Sequence, residues 1–575
     1  MRAILSKQLE RYRLSVARPD AVPQLALLGI LAGVLAGLTI IAFRLLAEWL
    51  QSGLLAGRAG HFAGLAASHR LYLALLGGLG LGLLFQWLSE DTRRVGILHV
   101  LERLEYHQGR MPWRNALSQF LGGAVAIISG QSIGREGPSA HLGAASSNLP
   151  AQWLQLPNNS LRVTAACGVA AGIAASFNTP LAGVAFAMEV LMLEYTVAGF
   201  TPVILATVSA TMLSRLVFGD QIAFSVPAIS LGSLSELPYI MIVGILIGMI
   251  GAAFLVLLQL FTRLHAPLPV WLRFSLAGGA VGLAGMVVPQ VMGIGDQTIT
   301  DTFNGHHGLT LLTSILILKL LATTFTIGAG IPGGMIGPSL VIGAAGGGLL
   351  GMLGMDAGIS APDSLGLYVL VGMGAMMAAI LQAPLAGLIA ILELTRSPDV
   401  ILPGMLAVVS ATITAGLFTQ RESAFHTMLR NLGMDYRNDP VKQSLRRVGV
   451  TAAMQTAFTV LPRRVERTRL DEELKDNLQW IVIREPEQAD VLLAAVDLVQ
   501  AVARDAEATE FDLMDIPGTR LQTTGVDRQA SLQEAHARMQ ATGAEALLVT
   551  RYAAPGLKRV EGILTAEGIA QTYRL

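Results

Sequence analysis

The chain has 575 residues, 53% of them hydrophobic and only 14% charged, whereas soluble domains carry about 25% charged residues. A soluble enzyme over most of the length, a disordered chain and a fibrous chain are thereby excluded. The 40 basic and 40 acidic residues cancel and give no footprint for nucleic acid, and the single Cys167 rules out a disulfide framework or a cysteine zinc site.

Charge is unevenly placed. About 36 of the 80 charged residues fall in 441–575, and the first 440 residues hold about 44. This predicts an integral membrane domain over 21–430 followed by a soluble domain over 441–575. Residues 1–20 are polar and basic, with Arg2, Lys7, Arg11, Arg13 and Arg18, and the apolar run after them shows no small-residue cleavage site. The positive-inside bias predicts an uncleaved cytoplasmic N-terminal segment, and the C-terminal domain is expected to be cytoplasmic too.

Apolar runs then follow at 24–50, 71–88, 115–133, 161–198, 201–218, 238–261, 273–290, 310–329, 335–354, 365–395 and 400–418. Most reach the roughly 20 helical residues that cross a hydrocarbon core of about 30 Å. Strand-like alternation is absent, which argues against a β-barrel. Several runs are broken by Gly, Pro and charge, and broken helices at membrane depth are tolerated only where the backbone is buried or lines a polar cavity. The 62 glycines suit close helix contact in lipid. GGLGLGLL at 77–84 reads as such packing rather than as a nucleotide loop.

An internal repeat organises these runs. GVAAGIAASFNTPLAGVAFAMEVL (168–191) matches GMGAMMAAILQAPLAGLIAILELT (372–395), pairing Pro180 with Pro384 and Glu189 with Glu393 at a shift of 204. Upstream, GPSAHLGAA (137–145) matches GPSLVIGAA (337–345) at a shift of 200. Two ordered motifs at nearly one spacing indicate duplication, with halves at about 21–220 and 236–430. Repeats with broken segments at matching positions place an ion or substrate site at their interface.

GREGP (134–138) and GGMIGP (333–338) each put Gly-Pro at a helix start. Both would present free N–H groups and a positive dipole end, a combination that binds anions. Arg135 adds a cation. Glu136 adds a carboxylate that competes with an anion for the same donors, and an ionisable residue within a membrane segment is a functional candidate by default. The plainer alternative is a structural Arg–Glu pair.

These motifs, with FNTPLAG at 177–183, resemble the CLC family of chloride channels and proton–chloride exchangers. The resemblance covers the whole chain. It implies an all-α polytopic membrane protein, a homodimer with one pore per subunit, each subunit being two inverted halves of tilted, broken helices. It implies that Glu136 is the gating glutamate, that the amides around Arg135, Glu136 and Gly137 line the outer anion path, and that Met335 and Ile336 flank the central anion. Chloride or another small anion is the implied cargo, and membrane lipid the surroundings.

The departures from the family pattern matter as much. The anion-coordinating serine falls on Val95, the following proline on Leu98 and the pore tyrosine on Phe425, so side-chain hydroxyls are lost. Gln119 stands where exchangers often carry a buried lysine. The inner proton-transfer glutamate falls on Val190. Adjacent Glu189 is the remaining proton-coupling candidate, although its repeat mate Glu393 suggests a structural role, binding a helix end in both halves. A channel, an uncoupled transporter and an exchanger with another inner route stay open, and the missing glutamate favours weak or absent coupling.

Elsewhere, His141 reads as a packed helix residue, and His306 with His307 as solvated surface rather than a metal site. The tail alternates β-rich and helical stretches and resembles two CBS modules near 448–502 and 514–573. Asp497 in the first and Thr565 in the second keep half of the adenosine-contacting pattern. An adenine nucleotide is thus the alternative to a purely dimer-stabilising tail. No catalytic set appears in the spans, which counts against an enzyme. A receptor signalling through the tail is the remaining class, and the broken-helix repeat favours transport over it.

Overall fold

The computed structural model describes residues 2–18, 20–55, 60–193, 196–220, 233–361, 363–396, 398–434, 440–474, 477–485, 490–505, 507–554 and 557–573. It divides into two compact units. The larger is Leu25–Gln152 with Arg162–Tyr436, and the smaller combines Met1–Gln24, Trp153–Leu161 and Arg437–Leu575.

After a leading helix α1 (Arg2–Val16), the first half of the larger unit runs through α2 (Val22–Leu54), α3 (Ala67–Trp87), the single turn α4 (Glu90–Arg93), α5 (Gly96–Tyr106), α6 (Trp113–Ile128), α7 (Glu136–Trp153), α8 (Asn158–Phe177), α9 (Pro180–Phe186) and α10 (Val197–Phe218). The second half runs through α11 (Leu237–His265), α12 (Val270–Val287), α13 (Asp296–Phe303), α14 (Leu309–Ala329), α15 (Ile336–Asp356), α16 (Leu365–Leu381), α17 (Pro384–Thr395), α18 (Ile401–Thr419) and α19 (Ala424–Asn431). Among the described residues, nine helical stretches are long and apolar enough to cross a membrane.

Two of the apolar runs are broken where hydropathy is continuous. The run 161–198 is α8, a left-handed break at Asn178 (φ 58°) and then α9, which continues as a π-turn over Ala187–Met192. The run 365–395 breaks in the same way at Gln382 (φ 53°) before α17. Pro180 and Pro384 explain both breaks, because proline cannot continue a helix but fits its first turn.

The halves are related residue by residue. Gly143 and Gly168 bring α7 against α8, and their mates Gly343 and Gly372 bring α15 against α16. A Cβ on any of the four would run into a facing backbone carbonyl. The core is one continuous apolar cluster through both halves.

In the smaller unit the chain makes the same β-α-β-β-α order twice. After the short helices α20 (Pro440–Arg446) and α21 (Val450–Ala453), the first pass is β1 (Phe458–Pro462), α22 (Arg467–Glu473), β3 (Trp480–Arg484), β4 (Val491–Ala494) and α23 (Ala495–Arg504). The second is β6 (Arg520–Asp527), α24 (Leu532–Thr542), β7 (Ala546–Ala554), β8 (Leu557–Thr565) and α25 (Ala566–Tyr573). In each, the first two of these strands pair parallel and the next pair is antiparallel. β4 joins β6 to make one six-stranded sheet, and β2 (Arg464–Glu466) pairs separately with β5 (Glu510–Asp512).

Two expectations are adjusted here. Val448 and Val450, at the predicted start of the first module, pack into the core of the second with Val526, Leu547 and Leu564. The segment Trp153–Leu161, predicted within the membrane domain, belongs to the smaller unit. Asn158 donates from its backbone N–H to Gln529 O (2.8 Å) and from Nδ2 to Glu534 (2.8 Å), while Asn159 Nδ2 donates to Val16 O (3.0 Å) and Arg447 O (3.0 Å). These polar anchors bind the segment between α7 and α8 to both ends of the chain.

Candidate anion site

The two glycine-proline loops meet. Gly134 N–H donates to Gly334 O (2.7 Å) and Gly334 N–H donates to Gly134 O (2.9 Å), an antiparallel bridge between residues 200 apart. The bridge sets the starts of α7 and α15 beside each other. Free N–H groups at helix starts hold partial positive charge. Glu136 is fully buried at the first of these starts. Its Oε1 accepts the N–H of Ile336, its own repeat mate, and its Oε2 has no partner among the described residues. An ionised carboxylate costs several kcal/mol or more to bury alone, so that donor is what makes the position tolerable. The carboxylate thereby occupies a backbone donor at the start of α15.

Arg135 turns elsewhere. Its guanidinium lies 4.9 Å from the centroid of the Phe177 ring and lines a cavity of about 230 Å³ with Arg44, Glu48, His61 and Asp296. The two side chains diverge rather than forming the structural pair weighed from the sequence.

Of the other expected residues, Met335 is the buried residue before α15 and Ile336 is its first residue. Gly137 packs its backbone against Gly333 so closely that a Cβ would overlap the Gly333 carbonyl. Val95 precedes α5 in extended conformation (φ −141°), and its side chain makes no capping bond. Phe425 is buried in α19, edge-on to Phe186 at 6.5 Å. Gln119 is fully buried, and neither of its amide atoms has a partner among the described residues. Its repeat mate is Lys319, fully buried in α14, whose Nζ donates to Val291 O (2.8 Å) and Gly293 O (2.7 Å). Sequence reasoning missed Lys319, although the 200-residue shift applied to Gln119 points straight to it.

Glu189 and Glu393 cap each other's halves. Glu189 accepts the N–H groups of Leu385 (3.0 Å) and Ala386 (2.7 Å) at the start of α17. Glu393 accepts those of Leu181 (2.9 Å) and Ala182 (2.7 Å) at the start of α9. Val190 beside Glu189 is buried and apolar. The structure also pairs His141 with His99, and it buries His307 against Thr302 (2.9 Å) while His306 stays exposed. The reading of both loop histidines as solvated therefore holds for His306 alone.

The family model described as voltage gated chloride channel matches residues 77–416, more than half of the chain. The chain belongs to this family. It is a CLC anion transport protein, multi-pass and integral to the membrane, of a family of transporters rather than enzymes. It is 33% identical over 408 residues to a putative chloride channel protein ClcB-like of Ralstonia nicotianae, covering 68% of this chain and 93% of that one. It is 29% identical over 433 residues to the H(+)/Cl(-) exchange transporter ClcA of Vibrio cholerae, covering 72% and 91%. Two solved structures share the fold. One is a slow cyanobacterial Cl-/H+ antiporter, with TM-score 0.63, 24% identity and coverage of 72% and 99%. The other is a eukaryotic CLC transporter, with TM-score 0.61, 21% identity and coverage of 95% and 97%.

Proposed function

We propose that this CLC protein exchanges chloride for protons, with Glu136 as the moving gate. The observation that carries the reading is the Glu136 carboxylate accepting the Ile336 N–H at the start of α15. In that position it competes with an anion, and protonation releases it, so one group governs both fluxes. The likeness to exchange transporters over 91% of their length favours exchange over the weak or absent coupling expected from Val190. Uncoupled conduction is the second reading, and the buried, apolar Val190 is the observation that favours it. Glu189 holds two N–H groups of α17 with both oxygens, which supports a helix-closing role for it over proton transfer. With Val95 and Phe425 offering no hydroxyl, backbone donors dominate the anion position, and we expect a site permissive among chloride, bromide and nitrate.

The protein acts as a homodimer of inverted-repeat subunits with both termini cytoplasmic. The two β-α-β-β-α passes support a CBS pair that stabilises the dimer. An adenine nucleotide is the alternative ligand at Asp497 and Thr565, but Thr565 Oγ1 is engaged by the Gly568 N–H (3.2 Å). Nucleotide titration of the full chain decides this.

The test of the main reading is a chloride gradient across proteoliposomes with external pH recorded. Uphill proton movement is expected, and Glu136→Gln is expected to pass anions without protons and with a flattened pH profile. Correctly folded protein that passes no anion would overturn the reading.

A further inference from the structure

We propose that His99 and His141 form the inner proton station that Val190 cannot supply, relaying protons between the protein surface at α5 and Glu136. The proposal rests on the exchange reading above.

His99 Nδ1 and His141 Nε2 lie 2.8 Å apart, both rings are buried, and their centroids are 5.1 Å apart. His141 follows Glu136 by five residues on α7, an axial rise of about 7.5 Å. His141 Nδ1 and Glu136 Oε2 are both buried without a partner among the described residues. Five residues also turn the helix by about 140°, so the two side chains leave α7 on different faces, and the transfer needs Glu136 to leave the Ile336 N–H and swing toward the ring, with water closing the remaining distance.

On the other side, His99 sits one turn before Glu102 on the same face of α5. Glu102 is buried, its carboxylate is paired with Arg94, and His107 Nε2 lies 3.8 Å from it. The Arg94 and His107 side chains are 46% and 45% exposed. The basic groups near His99 are Arg94, Arg103 and His107. The series Glu136, His141, His99, Glu102, His107 thus runs from the buried carboxylate to solvent.

A purely structural contact between α5 and α7 has no use for these rings. Leucine would pack there without leaving a buried Nδ1 unpartnered, an omission that costs about 1–3 kcal/mol. Two imidazoles in one hydrogen bond share a single proton between them, and that arrangement can relay.

In the step, His99 begins with its proton on Nδ1, donated to His141 Nε2, and His141 carries its own on Nδ1. A proton arrives at His99 Nε2. The His99 Nδ1–H bond breaks as the His141 Nε2–H bond forms. The His141 Nδ1–H bond then breaks and a Glu136 O–H bond forms. One positive charge has crossed, both rings end neutral with their hydrogen bond reversed, and each ring returns to its starting tautomer by giving its Nε2 proton to water and taking one from water at Nδ1.

The test uses the full chain in proteoliposomes, with chloride flux and chloride-driven proton movement measured together. His99→Asn and His141→Gln each place an amide where the bonded ring nitrogen stood, so packing and the hydrogen bond are kept while the relay is cut. Either variant alone is expected to keep chloride flux and lose proton movement by about tenfold or more. Wild-type protein that couples, with both variants coupling equally well, overturns the station and leaves exchange standing. Wild-type protein that moves no protons overturns exchange, and the station with it. If both variants also lose chloride flux, ¹⁵N-histidine spectra of the wild type decide. Exchange between tautomers at the two rings supports the relay, and one fixed tautomer at both overturns it.

Discussion

Gly134→Ala is the sharpest probe of the gate, because it acts on Glu136 without touching it. A Cβ at Gly134 would sit 2.6 Å from both Cδ and Oε1 of Glu136 and closer still to Oε2, and its three nearest atoms all belong to that carboxylate. The strain has two outlets. Moving the Gly134 backbone breaks its two hydrogen bonds to Gly334, at about 0.5–1.5 kcal/mol each, on top of about 1–3 kcal/mol for shifting packed backbone. Moving the carboxylate gives up one charge-assisted bond to Ile336, about 1.5–3 kcal/mol. The flexible side chain therefore yields, and the population of the seated carboxylate falls by about 10- to 150-fold.

The assay is chloride efflux from proteoliposomes at a series of pH values. On the proposed gate, wild-type flux is expected to rise as pH falls, because protonation would release Glu136. Gly134→Ala is expected to give high flux at neutral pH with a flattened profile. Adding Glu136→Ala to it should change little, since both changes empty the same position. A Gly134→Ala variant with wild-type flux and slope would refute the seated-carboxylate reasoning.

Three further outcomes follow from the packing and the charges. Glu189→Gln and Glu393→Gln should each destabilise the protein by about 1.5–3 kcal/mol, because an amide cannot accept two N–H groups as a carboxylate does; similar losses in thermal unfolding are expected, and a selective loss of proton coupling in Glu189→Gln alone would return that residue to the proton path. Gly143→Leu should disrupt assembly by forcing a side chain into the α8 backbone, seen as aggregation on size exclusion, while Gly80→Ala, with nothing within 4 Å of the new Cβ, should behave as wild type. In the smaller unit, burial raises the Glu10 carboxyl, but the hydrogen bond and charge of Arg528, with Arg551 and Arg13, outweigh it and hold the group below its ordinary 4.5. Its stabilisation is thus complete above that value and lost as pH falls through the lowered one, so hydrogen exchange in α1 should rise at acid pH, with a weaker dependence in Glu10→Gln.

What could be read from the sequence depended on whether a feature was local or repeated. The starts of α7 and α15 were legible because Gly-Pro spacing marks a helix start without tertiary help, and its recurrence 200 residues on removed the ambiguity. The pairing of Glu189 with Glu393 pointed to helix ends for the same reason. The breaks at Asn178 and Gln382 were hidden, because hydropathy runs unbroken through polar residues that turn left-handed only when a proline follows. His99 and His141 are 42 positions apart on different helices, and each alone reads as an ordinary buried ring. Trp153–Leu161 left the membrane unit through bonds to residues as distant as Glu534, which no local pattern encodes.

The pseudo-symmetry separates framework from function. Where mates are alike they hold the fold: Gly134 with Gly334, Gly143 with Gly343, Glu189 with Glu393. Where mates differ, the difference falls on chemistry. Glu136 faces Ile336, so one half supplies an acceptor and the other the N–H it uses. Neither amide atom of Gln119 has a partner among the described residues, whereas Lys319 Nζ donates to two carbonyls, so these mates differ in their polar chemistry. His141 is matched by Val341 and His99 by Ile299, so this pair of imidazoles has no counterpart in the second half. On the proposed exchange reading, an anion would meet N–H groups at the starts of both α7 and α15, whereas the proton would use Glu136, His141 and His99 of the first half, which is how one carboxylate would serve both cargoes.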